Sequence, residues 1–213
     1  MSKTWIKIIG FGLIAGCIAI FGYSWYIYHQ IDIRVGKGLI SNPLCTAPCW
    51  QGITPGITSR SDALLIVQGM NVRSFKIEGN EEKGECRWGW PIFSFGRSLN
   101  KITWKNQIVS EIHLGTNLTM KDIILQFGTP YRVNISLGGT PEHWYWVINM
   151  FYPSKRARFI AFTEEYNDEI SESTVVGIAV YYAEFTEESP IDWRSDLEPW
   201  KGYGNVKRVY EVP

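Results

Sequence analysis

The sequence predicts an α+β fold: an N-terminal transmembrane helix followed by two similar halves, each a short helix and an antiparallel sheet. Three observations predict it. An almost uncharged hydrophobic run occupies the N-terminus, from Trp5 to Tyr28. Two helix-start signals, Ser59 with Asp62 and Thr119 with Asp122, lie about sixty residues apart and each precedes an apolar run. After each helix come several short runs rich in β-branched and aromatic residues, separated by turn residues. A pattern that recurs in this way reads as internal duplication.

The run Trp5–Tyr28 carries one charge, Lys7, and as a helix would span about 36 Å against a hydrocarbon core of about 30 Å. Trp5 stands at one edge and Tyr23, Trp25, Tyr26 and Tyr28 at the other, where interfacial rings are expected. Lys3 and Lys7 favour a cytoplasmic N-terminus. The expectation is a single-pass signal-anchor in the cell membrane with an extracytoplasmic C-terminal domain. One alternative stays open: Ile14-Ala15-Gly16-Cys17 resembles a bacterial lipobox, which would make Cys17 a lipidated N-terminus. The aromatic stretch after the apolar run lacks the small residues of a cleaved signal peptide.

The expected organisation is an anchor over 1–29, a connector and Cys-containing loop over 30–56, a first half over 57–114, a second over 115–185 and an aromatic-rich tail over 186–213. In the first half a helix runs from Ser59 to Gly69. Strands are expected over Val72–Ile77, Cys86–Phe95, Leu99–Trp104 and Ile108–Leu114, the last two joined by the Lys105-Asn106-Gln107 turn. In the second half the helix ends at Gly128, and strands are expected over Tyr131–Leu137, Glu142–Tyr152, Arg156–Thr163 and Thr174–Phe185.

The segment Leu118-Thr119-Met120-Lys121-Asp122-Ile123-Ile124-Leu125-Gln126-Phe127-Gly128-Thr129-Pro130 resembles the short helix ending in Gly-x-Pro of the SmpA/OmlA family of small envelope lipoproteins. In tandem, such units resemble the architecture of the beta-lactamase-inhibitor protein. In the first half Gly56-Ile57-Thr58 and the following helix fit, while Gly69-Met70 lacks the proline. The resemblance implies a helix packed on an antiparallel sheet and a non-catalytic binding role. It transfers no partner-contacting residue.

Composition narrows the partners. Lys and Arg number 21, as do Asp and Glu, so no net field favours nucleic acid. No nucleophile elbow, phosphate-cradling loop or paired-His metal motif is present, and His113 beside Glu111 lacks a nucleophile motif. No metal site, cofactor or catalytic residue is expected, and the chain is read as a non-enzyme. Four cysteines are present: Cys17 in the hydrophobic run, then Cys45, Cys49 and Cys86. The expected bridge joins Cys49 to Cys86, stapling the entry loop to a strand, with Cys45–Cys49 as the competing pair.

Ten Trp and eleven Tyr make aromatics the richest signal. Strand alternation puts Trp88 and Trp90 on one face, and Trp144 and Trp146 on one face. Core packing is the ordinary reading of such rings. The functional reading makes these four tryptophans a binding surface on an open sheet face. The function expected is therefore non-catalytic binding of another envelope protein. The alternatives are a carbohydrate-binding module and an envelope hydrolase with an unrecognised site.

Overall fold

The computed structural model describes residues 16–23, 39, 45–70, 72, 74–89, 100–184 and 197–210. Its elements in chain order are α1 (Arg60–Gly69), β1 (Ser74–Gly79), β2 (Lys83–Gly89), β3 (Asn100–Lys105), β4 (Ile108–Thr119), α2 (Met120–Phe127), β5 (Arg132–Thr140), β6 (His143–Tyr152), β7 (Ala157–Phe162), β8 (Glu169–Ile170), β9 (Val175–Tyr182), β10 (Gly204–Asn205) and α3 (Val206–Val209). Both longer helices start where a side chain answers an orphan N–H. The Ser59 hydroxyl accepts from the Asp62 amide at 3.1 Å. Thr119 and Asp122 form a full capping box, with the Thr119 amide donating to the Asp122 carboxylate at 2.8 Å. Gly128 closes α2 at φ 82, in the left-handed region where a Cβ is unwelcome.

The strands join in one antiparallel sheet of order β1-β2-β3-β4-β9-β7-β6-β5, and β8 pairs with β10 in a separate small ribbon. Strands β1–β4 descend from one half of the chain and β5–β9 from the other. The halves meet at β4 and β9, where Glu111 lies opposite Tyr182, His113 opposite Val180 and Leu114 opposite Ala179. This corrects the α+β expectation: the molecule is mainly β, one continuous eight-stranded sheet with short helices against it. The physical reason is that the last strands of the two halves present open edges, and pairing them satisfies both sets of backbone groups.

Every strand alternates, so the sheet has two unlike faces. One face carries Trp88, Ile102, Trp104, Ile112, Leu114, Ile148, Met150, Phe159, Ala179 and Tyr181, all but excluded from solvent. Ala63 and Val67 of α1, Met120 and Ile123 of α2, and Val206 of α3 belong to the same apolar cluster. All three helices therefore cover this one face. Trp50 stacks on Trp88 with ring centroids 5.7 Å apart, tying the entry loop to β2.

The single-pass membrane anchor is corrected as well. Among the described residues no helix is long and apolar enough to cross a membrane. Of the run Trp5–Tyr28 only residues 16–23 are described, and they are helical. The rest of the run lies outside the described residues. The expected localisation, with a cytoplasmic N-terminus and an extracytoplasmic domain, rested on that anchor and falls with it.

The disulfide joins Cys45 to Cys49, with Cα atoms 5.1 Å apart, and not Cys49 to Cys86. Cys86 points into the helix-covered face among Ile102 and its neighbours, is fully buried, and stays a free thiol. Burial pushes its pKa up to about 12, which withholds the reactive thiolate.

Two outcomes follow. In native protein a water-soluble maleimide labels Cys17, which is exposed, while Cys86 stays silent. Unfolding without reductant adds Cys86 and not Cys45, as peptide mapping of the labelled chain will read. In urea melts, Thr119→Ala lowers the unfolding free energy by about 1 kcal/mol through the lost cap, with the m-value unchanged.

Candidate functional site

The face of the sheet opposite the helices is where a site can be built. Register places one row of side chains across it: Lys76, Arg87, Lys101, His113, Val180, Arg158, Phe151 and Arg132, one from each strand. At about 4.8 Å between strands the row is about 34 Å long. Beside it on the first half runs a second row, Glu78, Glu85, Thr103 and Glu111, which continues to Tyr182. Basic and acidic side chains thus stand on neighbouring positions of the same strands.

They neutralise one another in pairs. Lys76 is bonded to Glu78 and Arg87 to Glu85. Lys101 lies 3.8 Å from Glu85, and His113 Nε2 lies 2.8 Å from Glu111 Oε2. The His113 hydrogen bond, helped by the fields of Lys101 and Arg158, holds the Glu111 carboxyl below the usual carboxylate range despite partial burial. Tyr182, opposite Glu111, is pushed up to about 12 by burial. The nearby hydroxyls of Thr103 and Ser110 bond to each other at 2.9 Å.

The second half of the face is different. Its residues on β9, β7, β6 and β5 are Ile178, Val180, Tyr182, Arg158, Ile160, Phe162, Tyr145, Val147, Asn149, Phe151, Arg132, Asn134 and Ser136, with no carboxylate among them. Arg158 and Arg132 form no ion pair among the described residues. Arg158 Nε is buried without a hydrogen-bond partner. The Arg132 guanidinium lies 5.7 Å from the centre of the exposed Tyr131 ring.

The expected tryptophan surface is displaced by this geometry. Trp88 and Trp146 are buried to 1% and 2% exposure on the helix-covered face. Trp146 Nε1 donates to Asp168 Oδ1 at 2.8 Å. Trp144 shares that face, half-buried against Trp146 and Tyr166, with the Lys207 ammonium 5.6 Å above its ring. Trp90 lies outside the described residues. Cys49 sits in the entry-loop bridge and Cys86 in the core. Trp88, Trp144, Trp146, Cys49 and Cys86 therefore lie off the face opposite the helices. Sequence reasoning passed over Lys101, Arg132 and Arg158; their signal was the strand alternation that puts Arg158 and Ile160 opposite Phe159, and it becomes informative only once the strand register is known.

No group of three or more His, Cys, Asp or Glu side chains able to hold a metal ion occurs among the described residues. His143 and Glu165 bond at the exposed end of β6.

The Glu111–His113 pair gives a pH-dependent outcome. A carboxyl held low in the folded state adds stability above its unfolded pKa of about 4.3, and that stability is lost as pH falls through the folded value. Wild-type stability therefore declines as pH falls below about 5. Glu111→Gln removes this contribution, so chemical melts from neutral pH downwards will show a shallower acid limb and a lower plateau at neutral pH.

No family model matches the chain, and neither does any curated protein or solved structure, so the reading of the open face rests on its own residues.

Proposed function

We propose that this chain is a non-catalytic binding protein whose sheet face opposite the helices receives another protein at its exposed positions. The observation that carries the reading is the asymmetry of the sheet. Helices α1, α2 and α3 pack on one side, while the other side presents a row of charges beside Ile160, Ile178 and Val147. Charged and apolar groups interleaved on a broad, rigid surface suit protein recognition, where charges set register and apolar contacts add affinity. The likeness of residues 118–130 to the SmpA/OmlA helix points the same way.

The other two readings have less support. A sugar-binding surface needs rings free to stack, and Trp88 and Trp146 are inside the core. A hydrolase built on His113 needs a hydroxyl within its reach, but His113 is bonded to Glu111 and the Thr103 and Ser110 hydroxyls bond to each other.

The test is position-specific photo-crosslinking in cells. A photoreactive residue in place of Ser136, exposed on the open face, is expected to give a discrete protein adduct. The same residue in place of Leu125, exposed on α2 at the opposite side, is expected to give none. Adducts from Leu125 alone, or from neither position, would overturn the reading.

A further inference from the structure

We infer that two copies of this chain join edge to edge through β1, continuing the sheet across a two-fold axis centred on Ile77. The contact lies at the edge of the sheet and not on its face, so it stands apart from the binding role proposed above.

The two edges of the eight-stranded sheet are unlike. At β5, Val133 and Glu198 exchange both backbone hydrogen bonds, at 2.8 and 2.9 Å, so the segment at Glu198 covers that edge. At β1, Ser74, Lys76, Ile77, Glu78 and Gly79 are all exposed. Among the described residues β2 is the one strand paired with it.

Hydrogen-bond alternation tells which backbone groups of β1 face outward. The Asn80 N–H donates to the Lys83 carbonyl at 3.0 Å, one step beyond the Gly79–Gly84 pair. Across β2, the Asn106 N–H donates to the Glu82 carbonyl at 2.6 Å, one step beyond the Lys83–Lys105 pair. Lys83 therefore faces β1 and Glu82 faces β3. Alternate residues of an antiparallel strand turn to opposite neighbours. Ser74, Lys76 and Glu78 thus direct their backbone groups at Gly89, Arg87 and Glu85, and Phe75 and Ile77 turn theirs outward. Such an outward row is a template for another strand.

The charge pattern of β1 selects the occupant. Laid antiparallel on itself about Ile77, the strand sets Lys76 opposite the partner's Glu78, twice across the axis. Within one chain Lys76 and Glu78 are already bonded to each other, so two copies build a square of four alternating charges. Positions 76 and 78 fall at the non-hydrogen-bonded places of that ladder, where opposed side chains stand closest, with Cα atoms about 4.5 Å apart. An axis moved to Lys76 or to Glu78 would oppose like charges. On the helix-covered side, where Ile77 lies opposite Cys86, the Ile77 side chain is 41% exposed and meets its own copy.

A foreign strand needs the same charge order to fit, and the chain itself carries it. A two-fold contact of this kind uses one self-complementary patch. The shared ladder is about 20 Å long, short for an interface, so the dimer is reversible.

The test is sedimentation velocity of the full chain over a range of concentrations, in neutral detergent because Ile18, Ile20 and Phe21 are exposed. A monomer–dimer equilibrium is expected, weaker as salt rises. Lys76→Glu and Glu78→Lys each make both cross-axis contacts repulsive and should weaken dimerisation about tenfold. An equal mixture of the two variants opposes acidic side chains to basic ones and should restore dimers with one copy of each. The double exchange in one chain should restore them too, and it keeps the test decisive if melting curves show a single variant to be unfolded. A wild-type chain that stays monomeric, association unmoved by both reversals, or no recovery in either the mixture or the double exchange would overturn the edge dimer. Association unmoved by the reversals would belong to another surface, residues 16–23 included.

Discussion

The pairing of β4 with β9 is the constraint on which the rest depends. Each of the two strands closes its own half, and each would otherwise end a four-stranded sheet with a row of unpaired N–H and C=O groups. Their ladder runs from Glu111 opposite Tyr182 to Thr119 opposite Val175, with an irregularity between Gly115 and Leu118. Because the side-chain period is two, this one register decides which residues of both halves share a face. A slip of one residue would turn Ile112 and Leu114 outward and bring Glu111 and His113 into the apolar layer.

From that register the chemistry of the two faces follows. The covered side is held by volume and fit: Phe127, Tyr152, Phe159 and Tyr181 meet edge to face or tilted, with centroids between 4.8 and 6.4 Å, a geometry favoured by the ring quadrupole. The other side carries surface ion pairs in the first half, each worth at most about 1 kcal/mol, and the buried side chains of Val180, Phe151 and Tyr182 in the second. The division of labour between stability and recognition is set by strand alternation alone.

Much of the local structure was legible in the sequence. Ser59 with Asp62 and Thr119 with Asp122 mark helix starts because only a short acceptor side chain satisfies those amides, and that demand is local. Ile102 with Trp104 and Ile112 with Leu114 alternate as half-buried strands do. What depends on distant pairing was not legible. Strand propensity at Val109 or Val176 says nothing of which strand lies alongside, so two sheets were expected where one forms. The tryptophans misled for a related reason: Trp88 and Trp146 advertise a surface or a core equally well, and only the position of α1, α2 and the Trp50 ring decides it. Arg158 drew no notice because its unbonded Nε is a property of its neighbours.

The Cys45–Cys49 link spans a sequence separation of only 4. In a loop-closure account, tying so short a segment removes little freedom from the unfolded chain, about 2 kcal/mol against about 4 kcal/mol for a bridge from Cys49 to Cys86. The bridge is a local clasp on one turn, and the cohesion of the sheet is invested in packing. Thiol–disulfide poise therefore bears on the shape of the entry loop beside Trp50 and much less on whether the eight strands hold together.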